Sequence, residues 1–450
     1  MIATSPRNTA AVPDRFGIVG GGLLGMTLAL RLRERGHAVT IIESGSTLGG
    51  LAQPWSIGDL TWDRHYHVTL LSDRHLRELL AELDLDAEIR WTTTRTGFFT
   101  DGRFYDMSNL VDFIRFPPLG LFDKFRLGST ILYASRIADG RPLERIGVAE
   151  WLTRLSGRRT FEKIWRPLLR AKLGERYADA SAAFIWAIIA RLYAARRSGI
   201  GRELFGYVPG GYARVLATFA ARLEQRGVAI ELGTKVARVG RGPGGGCAIT
   251  MADGRLLDFD RVIVTAAAPQ AARLCPELPA DEARRMRDKR YQGIVCASLV
   301  LDEPLGPYYI TNLTDDWVPF SAVIDMSAIV DRKEFGGKAL VYLPKYVAPD
   351  DPLFEATDET IRASFIAALT RMYPTFSERT ILGFRVSRVR EVFPIATIGY
   401  SDDLPPVASS IPGLFFVNSA HIVNGTLNVN ETIQLAQREL ATLAPLTVST

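Results

Sequence analysis

Arg15-Phe16-Gly17-Ile18-Val19-Gly20-Gly21-Gly22-Leu23-Leu24-Gly25 is the stretch on which the fold turns, because an apolar run leads directly into G-x-G-x-x-G. A helix-compatible segment, 26–35, follows and ends near Gly36, and a second apolar run, 38–42, stops at Glu43. Strand, glycine turn, helix and strand in that order make the unit that holds a dinucleotide. Gly20 permits the tight turn, Gly22 lets a pyrophosphate approach the backbone, and Gly25 lets helix and strand pack closely. The helix start at Leu23 and Leu24 offers free N–H groups and the positive end of the helix dipole. Glu43 lies 18 positions after Gly25, where a carboxylate accepts hydrogen bonds from ribose hydroxyls and repels a 2′-phosphate.

Past Glu43 the chain gives Leu48-Gly49-Gly50-Leu51-Ala52, a second glycine pair that brings backbone against the same pyrophosphate from the other side. That favours FAD over NAD. The later glycine cluster 242–246 lies between two strand-like runs rather than between a strand and a helix, so it offers no second nucleotide site.

At 450 residues the chain has room for about two or three domains, and its 47% hydrophobic content suits a globular protein. The net charge of +5 is spread over dispersed arginines, which weighs against a nucleic-acid partner. Cys247, Cys275 and Cys296 form no C-x-x-C pair, so neither zinc nor a disulfide scaffold is expected, and a reducing compartment suits the chain. The polar first fourteen residues lack a secretory h-region, and no run approaches the roughly 20 apolar residues of a membrane span. A cytoplasmic location is expected, with peripheral attachment to the inner face of the cytoplasmic membrane left open.

The pattern predicts an α/β fold: a Rossmann-like FAD-binding domain interleaved with an α+β substrate domain. The first comprises 15–72, 208–290 and 398–445, the second 291–397, and 73–207 reads as a helical insertion. Within this frame 60–69 alternates as an extended segment, and Val208-Pro209-Gly210-Gly211-Tyr212 opens an amphipathic helix. A strand at 414–417 precedes a last helix at 430–443, with Asn428 or Asn430 as N-cap.

The arrangement resembles the flavin amine oxidase superfamily, which includes monoamine oxidases, protoporphyrinogen oxidases, phytoene-type desaturases and, more distantly, UDP-galactopyranose mutases. The carriers are Gly20 to Gly25, Glu43, Gly49-Gly50, Pro209-Gly210-Gly211, Val236 after Gly233-Thr234, the run 262–265 and Gly413-Leu414-Phe415-Phe416-Val417. The resemblance implies that the glycines hold FAD pyrophosphate, Glu43 holds the adenosine ribose, the Val236 backbone meets adenine, and Asn428-Val429-Asn430 present helix amides to the flavin. Such amides stabilise the negative charge of a reduced ring. The chain departs from the family at Leu51, where arginine is common, and at Asn418-Ser419, where an acid is usual. The flavin-facing lysine of many amine oxidases aligns with Cys296, which argues against oxidation of a simple amine.

His65 and His67 are the candidate catalytic imidazoles, in a region that in similar flavoproteins approaches the ring, and His67 better matches the family histidine. His421 is a candidate at the cofactor end. Tyr308, Tyr309, Asn312, Trp317 and Phe320, with Tyr342 and Lys345, are candidates to line an elongated pocket, and Tyr309 is carried as catalytic. Arg385, Arg388 and Arg390 offer an anion contact or a solvated face. The segment 113–127, with bulky apolar residues beside Arg115, Lys124 and Arg126, suits either a membrane interface or core helices. The expected activity is FAD-dependent dehydrogenation of a hydrophobic (isoprenoid-, porphyrinogen- or lipid-like) small molecule, by hydride transfer to flavin N5. The alternatives are a redox-neutral mutase and a non-catalytic FAD-binding scaffold. Oligomeric state cannot be read from the sequence.

Overall fold

The computed structural model describes residues 13–194, 204–423 and 426–445, so the polar lead 1–12 lies outside the described residues. Its centre is a five-stranded parallel sheet in the order Ala229–Glu231, Ala38–Ile42, Arg15–Val19, Arg261–Val264, Leu414–Phe416. Parallel strands are covered on both faces, which is why 262–264 is an unbroken Val-Ile-Val run with no exposed surface. One face packs Phe16, Ile18 and Ile41 against Met26, Phe219, Ile433 and Ala436 from the helices Leu23–Glu34, Gly211–Gln225 and Val429–Leu443. On the other face Val19, Val264 and Phe416 meet Ile249 and Phe259 of a three-stranded antiparallel sheet. The glycine cluster 242–246 turns between two strands of that sheet, Val236–Arg241 and Cys247–Met251. The fold is α/β, as the sequence predicts.

A second, seven-stranded sheet runs Ile381–Pro394, Tyr291–Leu301, Ala339–Val347, Ala322–Asp325, Ile310–Leu313, Thr96–Thr100, Arg103–Asp106. All eleven residues of Tyr291–Leu301 are buried. The helix Asp358–Met372 covers one face through Ile361, Phe365 and Leu369, and starts with the Thr357 hydroxyl accepting from Thr360 N at 3.2 Å.

A third core is helical, built around Leu121–Ser135, Val148–Ser156, Arg166–Leu173 and Ala182–Ala194. The five residues Phe161–Trp165 are wound as a π-turn that runs straight into Arg166–Leu173. Pro167 sits just beyond it and has no N–H to give, so the regular i→i−4 ladder is interrupted there.

Two sequence expectations differ from this picture. The segment 73–207 is not a helical insertion throughout. Its helix Arg74–Glu82 packs into the nucleotide-domain core, and Thr96–Thr100 joins the second sheet by pairing in parallel with Ile310–Leu313. The run Thr-Gly-Phe-Phe-Thr is held on both sides, by its hairpin partner Arg103–Asp106 and by the distant edge Ile310–Leu313. Nor is 60–69 one extended segment, since a strand Leu60–Asp63 stops and 64–68 is irregular before Thr69–Leu70. The break is pinned at Asp63, whose Oδ1 accepts from Tyr212 N at 2.8 Å and whose carbonyl accepts from the Tyr342 hydroxyl.

The first helix is locked to the first strand through Gly25. A Cβ there would stand 2.0 Å from the Gly20 carbonyl oxygen, whereas one on Gly244 would meet nothing within 4 Å. Gly25→Ala is therefore expected to cost about 1–3 kcal/mol of unfolding free energy in urea titrations. Gly244→Ala should stay within about 0.5 kcal/mol of the parent.

Candidate functional site

The two glycine pairs face each other at the carboxyl ends of the parallel strands. Gly49 N donates to Gly21 O at 2.8 Å, and Gly22 and Gly49 form a parallel bridge. A Cβ on Gly22 would reach only the Gly50 Cα, at 3.8 Å, so a side chain would project into the space that the two turns enclose. The N-terminus of Leu23–Glu34 opens on this space with no acidic residue in its first turn. Bare backbone, free amides and an uncountered dipole fit a pyrophosphate. Glu43 braces the turns, its Oε2 accepting from Gly21 N at 2.7 Å and its Oε1 from Gly45 N at 2.6 Å. A carboxylate has about four lone-pair sites; Oε1 also accepts from Ser44 Oγ at 3.2 Å, so the remaining acceptor capacity is on Oε2.

From this cradle a cavity of about 1520 Å³ runs into the helical part of the molecule. Gly20, Gly22, Leu23, Leu24, Glu43, Gly49, Gly50, Leu51 and Val236 line one end. Asn428, Val429 and Asn430 line it as well. Asn428 is the N-cap of the last helix, its Oδ1 accepting from Glu431 N at 3.0 Å. The Asn430 side chain turns elsewhere and caps a different helix, its Oδ1 accepting from His75 N at 2.9 Å and Leu76 N at 3.2 Å. Gly25 lies behind the cradle wall rather than on it, consistent with its packing task.

Asn418 and His421 do not line the cavity, which corrects the expectation that they do. They close a buried turn: Asn418 Oδ1 accepts from Ala420 N at 3.0 Å, and His421 Nε2 bonds the Pro405 carbonyl at 3.1 Å. Ser419 between them lines the cavity instead.

His65 and His67 both reach the cavity but in different states. His65 is buried with both ring nitrogens engaged, Nδ1 at 3.3 Å from the Leu51 carbonyl and Nε2 at 3.1 Å from Ser387 Oγ. Burial, with the Arg64 charge beside it, lowers its pKa to about 3. The imidazole is neutral, and it ties the second glycine turn to the substrate sheet. His67 lies tilted against the Tyr212 ring at 4.8 Å, and its Nδ1 stands 3.6 Å from Asp63 Oδ2 without a hydrogen-bond partner. Its ring nitrogen is therefore uncommitted where that of His65 is not.

Tyr309 and Asn312 line the cavity, Tyr309 buried against Phe205. Trp317 and Phe320 are instead packed on Phe99 and Phe365, and the Tyr342 hydroxyl is spent on Asp63, so none of these three faces the cavity. Cys296 is sealed within the sheet, its thiol pushed up by burial and held protonated. Arg385, Arg388 and Arg390 do not converge: Arg388 pairs with Asp358, Arg390 with Glu355, and Arg385 lies over Trp55. Sequence reasoning missed the opposite wall, where Trp165, Leu168, Leu169 and Lys172 meet Phe184, Ile185 and Ile188, together with the Tyr66 and Tyr346 hydroxyls at 2.6 Å from each other. The helical periodicity of 161–192 was the available signal, but it does not say which face meets a ligand.

Comparison with known proteins is consistent with this geometry. The family described as flavin containing amine oxidoreductase matches residues 25–439. The coproporphyrinogen III oxidase of Mycobacterium leprae is 27% identical over 287 residues, which is 58% of this chain and 62% of that enzyme. The zeta-carotene desaturase of Synechocystis sp. is 28% identical over 237 residues, 47% of this chain and 48% of that enzyme. These matches span less than two thirds of either relative. Reduced UDP-galactopyranose mutase has the same fold, with a TM-score of 0.75 at 15% identity over 97% of this chain and 94% of that one. The chain belongs to the flavin-containing amine oxidoreductase family, and its cofactor is FAD.

The state of His65 sets a pH dependence. Unfolded, it titrates near its ordinary 6.5, while in the fold it resists protonation to about 3, so protons favour the unfolded chain across that interval. The stability it contributes is complete above pH 6.5 and is lost as the pH falls through the window. Between pH 7.5 and 5.0 this loss amounts to about 2 kcal/mol. Urea titrations of His65→Gln at the two pH values should show the pH-dependent loss smaller by about that amount.

Proposed function

We propose that this member of the family dehydrogenates a hydrophobic small molecule of isoprenoid, porphyrinogen or lipid type, with FAD taking up the hydride at N5. The observation that carries the reading is the apolar lining of the cavity beyond the glycine cradle, to which Trp165, Leu168, Leu169, Phe184, Ile185 and Ile188 contribute. Such a wall binds by burying area and offers a nucleotide-sugar little hydrogen bonding. Relatives named for coproporphyrinogen III and zeta-carotene support a bulky substrate with an extended apolar body.

The chain's own tasks are positional and electrostatic. The glycine turns, Glu43, Val236 and the amides of Asn428, Val429 and Asn430 hold the cofactor, and the apolar wall aligns the substrate and excludes water. His67 is assigned the proton-handling role, because its ring lines the cavity while its Nδ1 faces the buried Asp63 carboxylate at 3.6 Å. Tyr309 is assigned substrate positioning. His65 is a positioning residue for the Leu51 loop.

In the same reading the segment 113–127 docks on a membrane surface. Leu121, Phe122 and Phe125 are 79%, 71% and 71% exposed, and Leu110, Val111 and Ile114 of the preceding short helix are about half exposed. Phe116 and Leu119 between the helices are buried, so the apolar residues divide into an anchor and a presented face. Lys124 and Arg126 flank that face, the arrangement that suits an anionic bilayer surface. Among the described residues no helix is long and apolar enough to cross a membrane.

Anaerobic mixing of the FAD-loaded protein with isoprenoid, porphyrinogen and lipid donors should bleach the flavin absorbance for at least one of them. His67→Gln should slow that step by roughly a hundredfold while retaining the flavin. Failure of every donor sinks the proposal, and turnover of a nucleotide-sugar only after prior flavin reduction would replace it with the mutase reading. In sedimentation with anionic liposomes the parent should pellet, and Phe122→Glu with Phe125→Glu should stay in the supernatant. Equal partition of the two removes the membrane part.

A further inference from the structure

Lys172 is a cation set into the apolar wall of the cavity without a counter-ion. It belongs to the helix Arg166–Leu173 that follows the π-turn, beside Leu168 and Leu169. Its Nζ lies 3.7 Å from the centroid of the Tyr346 ring and 4.9 Å from that of Phe393. Among the described residues no carboxylate pairs with it, whereas two other cations that line the cavity have partners: Arg191 holds Asp73 at 3.0 Å and Arg273 faces Glu391 at 3.6 Å. Burial pulls the ammonium below the ordinary lysine pKa, as desolvation without compensation must. The aromatic faces offset part of that cost, and an opposite charge would offset far more.

A second donor stands next to it. The Tyr66 and Tyr346 hydroxyls lie 2.6 Å apart. They own two O–H protons between them, and their mutual bond uses one. The pair therefore keeps one O–H to give, next to the ring that carries the ammonium.

We infer that Lys172, with the free hydroxyl of the Tyr66–Tyr346 pair, receives a carboxylate on the substrate, so that the enzyme acts on an amphipathic acid rather than on a neutral hydrocarbon. The inference rests on the proposed function and narrows it. A hydrocarbon filling the cavity would shut Lys172 away from water with no opposite charge, while a carboxylate at the end of an apolar body completes the site. Lys172 is a specificity residue here; the bond that is dehydrogenated lies elsewhere on the substrate.

The test is equilibrium binding to the FAD-loaded protein, followed by flavin difference absorbance and tryptophan fluorescence, with decanoate and decanol below their aggregation limits. Decanoate should bind at least tenfold more tightly than decanol. Lys172→Met should bring decanoate to the level of decanol and leave decanol within about twofold, and Lys172→Arg should retain the preference. Equal affinities in the parent, or a preference that survives Lys172→Met, overturn the inference. A shifted flavin potential in Lys172→Met with the preference intact would also overturn it, by assigning the lysine to the cofactor. If Lys172→Met fails to hold FAD, the parent and Lys172→Arg decide between the same outcomes. Because the readout is binding, an acid preference without flavin bleaching by any donor would sink the dehydrogenase reading alone.

Discussion

The structure depends on one close approach, that of Gly25 to the carbonyl of Gly20. It fixes the angle at which the first helix leaves the first strand, and so the direction in which the helix amides point. With the second turn hydrogen-bonded to the first through Gly49, two backbones meet a common space where side chains on either would intrude. Glu43 then serves as a brace, since Gly21 and Gly45 donate to its two oxygens. A phosphate-binding turn without side chains has little else to hold its shape.

Beyond the cradle the cavity is defined by what its walls have already spent. His65, His421 and Tyr342 all carry polar atoms in the right region, yet each is committed to neighbours within the fold. His67 and the Tyr66–Tyr346 pair are less committed, and Lys172 has only aromatic faces beside it. A buried polar group that is fully satisfied stabilises structure, whereas one left short of partners marks where a ligand completes the arrangement. Among the groups that line the cavity, those short of partners are the ones to which the proposed function gives tasks.

Some of this was legible in the chain alone, and the reason differs from residue to residue. Gly20, Gly22, Gly25 and Glu43 could be assigned because their tasks are local, set by turn geometry and strand length within a single β-α-β unit. Asn428 could be proposed as an N-cap for the same reason. Asn430 could not be seen as a cap on Arg74–Glu82, because that contact joins residues 355 positions apart. His421 was misplaced because a histidine near a strand end looks the same whether its ring turns toward the cavity or into the protein. For Thr96–Thr100 the hairpin with Arg103–Asp106 is a local matter, whereas its place in the second sheet depends on Ile310–Leu313, about two hundred residues away.

The sequence by itself determined the nucleotide-binding unit, the α/β class and the choice of FAD, since each follows from short-range periodicity and from glycines at fixed offsets. Only the tertiary structure decided which of two neighbouring histidines keeps a free nitrogen, and that a lysine stands unpaired against an aromatic ring. Those are properties of burial and of hydrogen bonds between distant segments, and neither quantity exists until the chain has packed.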